Sequence, residues 1–260
     1  MAVPPGALAA GRYVLRFAAS DRDLREVQRL RFEVFNLELN EGLDSAFDSG
    51  RDEDELDASC HHLMVEDRIS RTVVGTYRMM TGAMARSRGG FYAEGEFDLD
   101  ELPEHVMEGG VEVGRACVHP AHRNGRVILL LWRGIARYLE HNRKRYLFGC
   151  CSLPTLDESV ARRVLSELAA RGCMHPTVRL RPLPALRCGD APGAPTAPAA
   201  TLPTLMQGYL RLGAQVASDP AVDRTFKVID FFVLLDLASV DARVRRTFFA
   251  AHGWELAAPV

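Results

Sequence analysis

A strand, a turn, a long helix and a second strand follow one another in the middle of the chain, and this succession constrains the fold more than any other feature. Val111 to Val118 has the composition of a strand, which His119-Pro120 ends because proline cannot donate to a sheet. Asn124-Gly125 then predicts a turn. Val127 to about Asn142 repeats apolar residues at helical spacing, and Tyr146 to Cys150 is a short apolar run typical of a buried strand.

Periodicity and turn signals predict further elements on both sides of this central unit. Residues 82–110 are glycine-rich and are predicted to be irregular, with one short helical piece near Leu99. The remaining predicted elements are strands at 12–17, 62–66, 72–80 and 230–237, a helix capped by Asp21 or Asp23 that runs to about Asn36, and helices at 159–171, 205–212 and 243–251. Their order, with successive strands in the middle, predicts a mixed α/β fold that differs from the strict alternation of a doubly wound sheet.

The length and the apolar content bound the domain organisation. A chain of 260 residues with 47% hydrophobic content suffices for one large domain or two small ones. We interpret it as one domain over residues 1–260, with an insertion at 181–203 in which prolines and alanines prevent regular structure. The insertion is a flexible linker or, alternatively, a loop that gates a substrate site. No segment approaches the roughly 18 apolar residues of a membrane span, so any membrane contact would be peripheral.

Charge and cysteine usage narrow the class of protein. A net charge of -2 gives no indication of nucleic-acid binding. Nine acidic residues and one arginine between Glu38 and Asp57 favour a cationic small ligand, whereas seven basic residues and one acidic residue between Arg123 and Arg145 favour an acidic partner. Solvated surface explains both stretches equally well. The six cysteines form no Cys-x-x-Cys pair and the first ten residues lack a leader pattern, so we expect a cytosolic protein with reduced thiols.

Glu112 is the strongest candidate for acid–base chemistry. On a strand, Glu112 and Gly114 share one face and Arg115 lies on the other. A buried glutamate can accept a proton from an attacking amine, because desolvation raises its pKa towards the working pH. The alternative is that Glu112 and Arg115 are ordinary charges near the end of a strand.

Histidines and cysteines give weaker signals. His119 and His122 flank Pro120 and His61-His62 is a pair, but no cysteine or acid completes a zinc spacing, so we predict no metal site. The thiols at positions 117, 150 and 151 lie in apolar strands without a histidine partner, which favours core packing over a nucleophilic role.

The pattern Glu112-x-x-Arg115, followed by a basic glycine-containing loop and a helix, resembles the acetyltransferase-like (GNAT) superfamily. More narrowly, it resembles the branch that contains autoinducer (acyl-homoserine lactone) synthases, N-acyl amino acid synthases and the ornithine acyltransferases of ornithine-lipid synthesis. Leu30 to Phe35, the acid pair Asp54 and Asp57, and Val74 to Arg78 also match patterns of that branch. The stretches that resemble the ornithine acyltransferases specifically are 90–94 with 96–99, 147–150, and 202–214.

This resemblance implies an α/β GNAT fold, with a central mixed, mostly antiparallel sheet flanked by helices. It implies transfer of a long (3-hydroxy)acyl group from acyl carrier protein to the α-amine of L-ornithine, which gives lyso-ornithine lipid. No cofactor is expected beyond the phosphopantetheine of the donor, and the enzyme would be cytoplasmic or peripheral to the inner membrane. The alternatives are an N-acyl amino acid synthase with another acceptor, an acyl-homoserine lactone synthase, and a non-catalytic binder of acylated carrier protein.

The resemblance also assigns roles to residues. Glu112 and Arg115 would be catalytic, with a backbone N–H near Arg115 donating to the oxyanion. The loop keeps one glycine of the usual pyrophosphate motif and lacks the second, which favours a carrier-protein donor over coenzyme A. Arginines in the acceptor set would bind the amino-acid carboxylate or, alternatively, pair structurally with the two acids. The donor-binding set is Cys117, Val118, Arg123, Asn124, Gly125 and Arg126, and the acceptor-binding set is Arg31, Phe35, Asp54, Asp57 and Arg78.

Overall fold

A computed structural model describes residues 2–189, 202–243 and 246. Most of the predicted helix at 243–251 and the centre of the proline-rich insertion lie outside these residues. Within the described part, nine strands form one sheet in the order β1-β2-β3-β4-β5-β6-β9-β7, with β8 also paired to β9. The strands are β1 Leu8–Ala10, β2 Tyr13–Phe17, β3 His61–Asp67, β4 Val73–Thr81, β5 Gly110–Val118, β6 Tyr146–Leu153, β7 Gln215–Val216, β8 Ala221–Asp223 and β9 Val228–Asp236.

Helices cover both faces of this sheet. Every strand pair is antiparallel except β5 and β6, which run parallel, so the predicted mixed and mostly antiparallel α/β sheet is confirmed. Among the described residues, no helix is both long enough and apolar enough to cross a bilayer. The helices are α1 Asp21–Arg31, α2 Ala46–Ser49, α3 Gly82–Arg88, α4 Glu104–Gly109, α5 Arg126–His141, α6 Glu158–Ala170 and α7 Thr204–Arg211, and a π-helical segment, Phe32–Glu38, continues α1.

Side-chain alternation in the central strands explains the two layers. Leu63 and Val65 of β3 pack in the same apolar cluster as Leu131 of α5. Met64, between them, packs with Val27 and other apolar residues of α1. Because successive strand residues point to opposite faces, α1 and α5 lie on opposite sides of the sheet. Each fully buried leucine or valine contributes roughly 1.5–3 kcal/mol through the hydrophobic effect.

The predicted cap of α1 was wrong. Ser20 is the N-cap, and its hydroxyl accepts the N–H of Asp23 at 3.2 Å. The Asp23 carboxylate in turn accepts the N–H of Ala19 at 2.9 Å. Asp23 is therefore not the cap. It lies in the first turn of the helix, and its side chain bonds back to the backbone just before the cap, much as in a capping box. The helix also widens at Phe32, earlier than its predicted end.

Residues 82–110 are more regular than predicted. Thr81 caps α3 by accepting the N–H of Met84, and Gly89, with φ of 102°, ends it. The glycines led to the prediction of irregular structure. They lie at the two ends of the helix, where glycine is compatible with it. The short strands β1, β7 and β8 were not predicted, because two or three residues are too few to show an alternating pattern.

The parallel strands β5 and β6 separate soon after they meet. Gly110, Val111 and Glu112 pair with Tyr146, Leu147 and Phe148, and the described register goes no further. Each strand then continues in the sheet on its other side, β5 with β4 and β6 with β9. A cleft therefore opens between the two strands, and Glu112 lies at its apex.

Candidate active site

The cleft between β5 and β6 widens into a cavity of about 1180 Å³. Such a volume is ample for a small-molecule ligand. The π-helical segment, α5, α7 and the residues before β9 complete its walls, and most of them are apolar. The lining residues include Phe35, Arg78, Tyr92, Glu112 to Val118, Arg123, Gly125, Leu129, Trp132, Cys150, Leu205, Phe226 and Asp230.

Glu112 is buried at the apex, with 6% of its surface exposed. Its carboxylate accepts backbone N–H groups from Tyr92 at 2.9 Å and from Ala93 at 2.8 Å. Burial raises the pKa of Glu112 to about 7, even though the two N–H groups and Arg78 act to lower it. A carboxylate with this pKa is half deprotonated near neutral pH, which suits a general base.

Arg115 forms a bulge in β5. Thr76 pairs with Cys117 and Arg78 pairs with Gly114, so two residues of β5 oppose one residue of β4. Arg115 has a φ of 48°, in the left-handed region. The bulge interrupts the alternation of side chains, and the prediction that Arg115 and Glu112 lie on opposite faces was wrong.

The side chains of Arg115 and Glu112 converge on Tyr92. The Arg115 guanidinium lies 5.8 Å from the centre of the Tyr92 ring, while Glu112 binds the Tyr92 N–H. The same guanidinium stacks on Phe226 at 4.3 Å. A one-residue insertion in the register thus brings both predicted catalytic residues to one side of the sheet.

Three arginines and three aspartates form a buried group next to the cavity, here called the arginine–aspartate cluster. Arg31 donates to Asp52 at 2.6 Å and to Asp57 at 2.8 Å, and its side chain is 1% exposed. Arg78 donates to Asp54 at 2.6 Å and to Asp57 at 3.0 Å. Arg115 completes the set, 3.6 Å from Asp52 and from Asp54.

Within this cluster Asp54 and Asp57 are held as charged groups. Burial acts to raise the pKa of Asp57, but Arg31, Arg78 and the Gln28 amide hold it well below its usual range. The pKa of Asp54 is likewise lowered, against burial, by Arg78 and Arg115. Asp52 was missed by the sequence reasoning, which considered only the pair at Asp54 and Asp57. The cluster contains three arginines and three aspartates, so its formal charges balance.

The predicted acceptor-binding residues divide into two groups. Phe35 and Arg78 line the cavity. Arg31, Asp54 and Asp57 are held behind it in the cluster, as in the alternative of structural pairing. Their role in binding an acceptor stays a prediction.

The predicted donor-binding residues surround the N-terminus of α5. Cys117, Val118, Arg123 and Gly125 line the cavity. Arg123 donates to both carboxylate oxygens of Glu38, at 2.5 and 2.7 Å. Asn124 accepts the N–H of Arg126 at 3.1 Å, and these two residues lie outside the cavity wall.

The cysteines near the cleft have the character of core residues. Burial raises the pKa of Cys117 to about 12, and it also raises those of Cys150 and Cys151. Such thiols remain protonated at neutral pH and are poor nucleophiles.

A second group of buried acids, here called the carboxylate cluster, lies on the β9 side of the cavity. Glu96, Asp223 and Asp230 each offer an oxygen atom, and these atoms lie within 4.8 Å of one another. Burial and mutual repulsion raise the pKa of Glu96 to about 9 and that of Asp230 to about 7. Sequence reasoning missed this cluster, although Asp230 is a charged residue within an apolar strand and could have indicated it.

Comparisons with known proteins agree with this architecture. Residues 30–133 match the family described as Acetyltransferase (GNAT) domain. Over 252 residues the chain is 31% identical to an L-ornithine N(alpha)-acyltransferase of Agrobacterium fabrum, covering 90% of this chain and 84% of that protein. It is 32% identical to the protein of the same name from Rhodobacter capsulatus, covering 91% of this chain and 94% of that protein.

A solved structure shares the fold. An N-acyl amino acid synthase from uncultured soil microbes superposes with a TM-score of 0.52 at 12% identity, covering 94% of this chain and 99% of that one. The resemblance seen in the sequence is thereby confirmed at the level of family and fold. The chain belongs to the family of L-ornithine Nα-acyltransferases, which is built on the acetyltransferase (GNAT) fold.

Proposed function

We propose that this protein transfers a long acyl group from acyl carrier protein to the α-amine of L-ornithine and so makes a lyso-ornithine lipid. The names of its relatives support the acceptor. The observation that carries the proposal is the position of Glu112, a buried carboxylate with a pKa raised to about 7 at the apex of a large, mostly apolar cleft. Amine, thioester and acyl chain would meet there.

Glu112 is the group that would take the proton. The α-ammonium of the acceptor must become an amine before it attacks, and Glu112 accepts that proton directly or through water. The amine nitrogen then forms a bond to the thioester carbon. As the tetrahedral intermediate collapses, the nitrogen gives up its extra proton and the carbon–sulfur bond breaks. The amide remains, and the leaving thiolate takes up one proton to become a thiol.

The bulge offers backbone groups for the oxyanion. Arg115 and Ala116 have no ladder partner in β4, and they lie beyond the last pair with β6. An N–H group in this position is free to donate to a developing negative charge, which is worth about 3–4 kcal/mol in well-placed oxyanion sites. The same free edge of β5 could hydrogen-bond a pantetheine arm along its length.

The apolar walls suit a fatty acyl chain. Leu129, Trp132 and Leu205 line the cavity, and Leu129 remains 37% exposed. Each methylene buried there would contribute about 0.8 kcal/mol. Arg123, which precedes α5, lines the same cavity, and an acidic carrier protein would dock beside it.

The experiment that tests the proposal is an acyl-transfer assay with purified protein. Donors are acylated carrier protein and the matching acyl-coenzyme A. Acceptors are ornithine, glycine, lysine, glutamine and S-adenosylmethionine, and products are identified by mass. We expect Nα-acylornithine from the carrier-protein donor. A different preferred acceptor would indicate another N-acyl amino acid synthase, and acylation of S-adenosylmethionine would indicate a lactone synthase. Tight binding of acylated carrier protein without turnover would indicate a non-catalytic binder.

A further inference from the structure

The carboxylate cluster has no function in the acyl transfer, yet it borders the same cavity through one of its members. Asp230 lines the cavity and accepts a hydrogen bond from the Ser152 hydroxyl at 2.6 Å. Asp223 lies behind it and accepts the backbone N–H groups of Thr225 and Phe226. Both residues are thus held in place by neighbours, with oxygen atoms to spare.

Glu96 is the exceptional member of the cluster. It is 4% exposed, and within the described part of the chain no hydrogen bond of normal geometry reaches either of its carboxylate oxygens. One of those oxygens lies within 4.8 Å of an oxygen of Asp223 and of an oxygen of Asp230. A buried carboxylate without a partner is costly, because burial removes its hydration without replacement. Such a group indicates that a partner arrives from outside the chain.

The cluster lies within reach of Glu112. The Tyr92 backbone binds Glu112, and the Tyr92 hydroxyl is close enough to Glu96 to lower the pKa of that acid. The Cys150 thiol, which lines the cavity, has its pKa raised by burial and by Glu96, Asp230 and Glu112 together. Cys150 and Tyr92 therefore lie between the proton-accepting carboxylate and the cluster.

We propose that Glu96 and Asp230, supported by Asp223, form the subsite for the side-chain ammonium of the acceptor amino acid. This inference rests on the proposed N-acylation of ornithine. The two nitrogens of an extended ornithine are roughly 6 Å apart by standard bond lengths. One nitrogen would face Glu112 and the other the cluster.

The charge balance favours this subsite over the predicted pair at Asp54 and Asp57. Both oxygens of Asp57 are occupied, one by Arg31 and Arg78 and the other by Gln28. The carboxylate cluster contains three acids, and the cation that acts on it is Arg115, whose guanidinium already lies beside Asp52 and Asp54. An added positive charge is stabilised where acids are in excess.

The chemistry of the cluster favours an ammonium over a divalent metal. An ammonium carries a single charge and three N–H donors, which matches the three carboxylates that have acceptor capacity left. Magnesium keeps several waters and loses them reluctantly, whereas this site is walled by aromatic rings and thiols.

Two variants test the subsite, with L-ornithine compared to L-norvaline, which has the same carbon skeleton without the ammonium. Glu96→Gln and Asp230→Asn should each raise KM for ornithine on the order of 10²-fold, since a buried ammonium would lose its counter-charge. Use of norvaline should change little. Glu101→Gln is the matched control, because Glu101 lies on the same segment and pairs with Arg181 at the surface.

Binding without turnover gives a second readout. Ornithine alone should raise the melting temperature of the wild type more than norvaline does, and Glu96→Gln should abolish that difference. Equal losses with both acceptors would overturn the inference, and so would retained selectivity in both variants. A melting temperature raised by manganese or calcium alone, and lost in Glu96→Gln, would overturn it in favour of a metal site. Failure of the wild type to acylate ornithine would instead refute the proposed function, whereas the variants test only the subsite.

Discussion

Two groups of buried acids flank the cleft, and they differ in how their charge is balanced. In the arginine–aspartate cluster, Asp52, Asp54 and Asp57 each lie within 3.6 Å of a guanidinium nitrogen. In the carboxylate cluster, no guanidinium or ammonium group of the described residues pairs with Glu96, and its pKa is raised to about 9. Both clusters are acidic in sequence and buried in the fold. Buried acids that are paired with arginines can hold the fold together. Buried acids without such counter-charges are able to receive a cationic ligand.

Glu112 lies between the two clusters, and its loss should have the largest effect. Glu112→Gln removes basicity at nearly constant shape, so we expect turnover to fall roughly 10² to 10⁴-fold. In the wild type, turnover should decline as pH falls below about 7, because the carboxylate becomes protonated there. Steady-state rates from pH 5.5 to 9 measure both effects.

A structural role for Glu112 would give a different result. If the carboxylate only anchors the Tyr92 and Ala93 N–H groups, Glu112→Gln should lower the melting temperature. Turnover should then fall only because less protein is folded, and the shape of its pH profile should not change. Glu104→Gln is the control, because Glu104 is an exposed acid at the start of α4, the helix that precedes β5. Near wild-type turnover at neutral pH would exclude the base assignment.

The arginine–aspartate cluster is tested by Asp57→Asn. This change breaks charge-assisted hydrogen bonds to Arg31 and Arg78, each worth about 1.5–3 kcal/mol. We expect a lower free energy of unfolding in denaturant titrations and a similar loss of activity with ornithine and norvaline. A raised KM for ornithine alone, at unchanged stability, would instead support the acceptor role predicted from the sequence.

The two clusters should also respond oppositely to pH. The pKa values of Glu96 and Asp230 are raised to about 9 and about 7, above their ordinary values of 4.5 and 3.8. The folded chain therefore binds more protons than the unfolded chain in this range, and these groups reduce stability as pH rises from about 4 to 9. The lowered pKa of Asp57 acts in the other direction, since its contribution is present above 3.8 and is lost as pH falls further.

Thermal unfolding across that pH range gives the measurement. Glu96→Gln should have a melting temperature a few degrees above the wild type near about pH 9 and close to it near about pH 5, because the amide remains neutral. Parallel curves for the two proteins would contradict the raised pKa of Glu96. Glu101→Gln again serves as the control.

Donor docking should show the smallest effect. If Arg123, Arg126 and Arg133 contact an acidic carrier protein, reversing their charge should raise KM for the donor several-fold, with more effect at low salt than at physiological salt. Arg22→Glu, on the exposed side of α1, controls for net charge. A wild-type KM for the donor that is constant from low to physiological salt would argue against an electrostatic docking surface.

The sequence was most informative where local pattern and chemistry coincide. Val127 to Asn142 has strong helical periodicity, and α5 was predicted to within one residue at each end. Glu112 could be identified because its motif occupies one strand. The cap at Ser20 was missed because a serine and two aspartates compete for the same position, and only the backbone geometry decides among them.

Long-range features could not be predicted in the same way. Glu96 and Asp230 are separated by more than a hundred residues, and a periodic pattern within one element cannot predict that their side chains lie close together. The face on which Arg115 lies depends on a bulge, which is a property of the register between two strands. The negative charge of Asp57 is balanced by Arg31 of α1 and Arg78 of β4. The sequence does not show that these two distant residues lie beside Asp57.

Gly149 has a consequence for engineering this enzyme. A Cβ at this position would lie 2.2 Å from the carbonyl oxygen of Val113. That oxygen belongs to the backbone and could move only if the strand itself shifted. Any other residue would force β5 and β6 apart close to Glu112 and change the shape of the cleft at the reacting atoms. Libraries aimed at new acyl-chain lengths should therefore keep Gly149 invariant and draw their diversity from Leu129 and Leu205, which line the cavity proposed for the fatty chain.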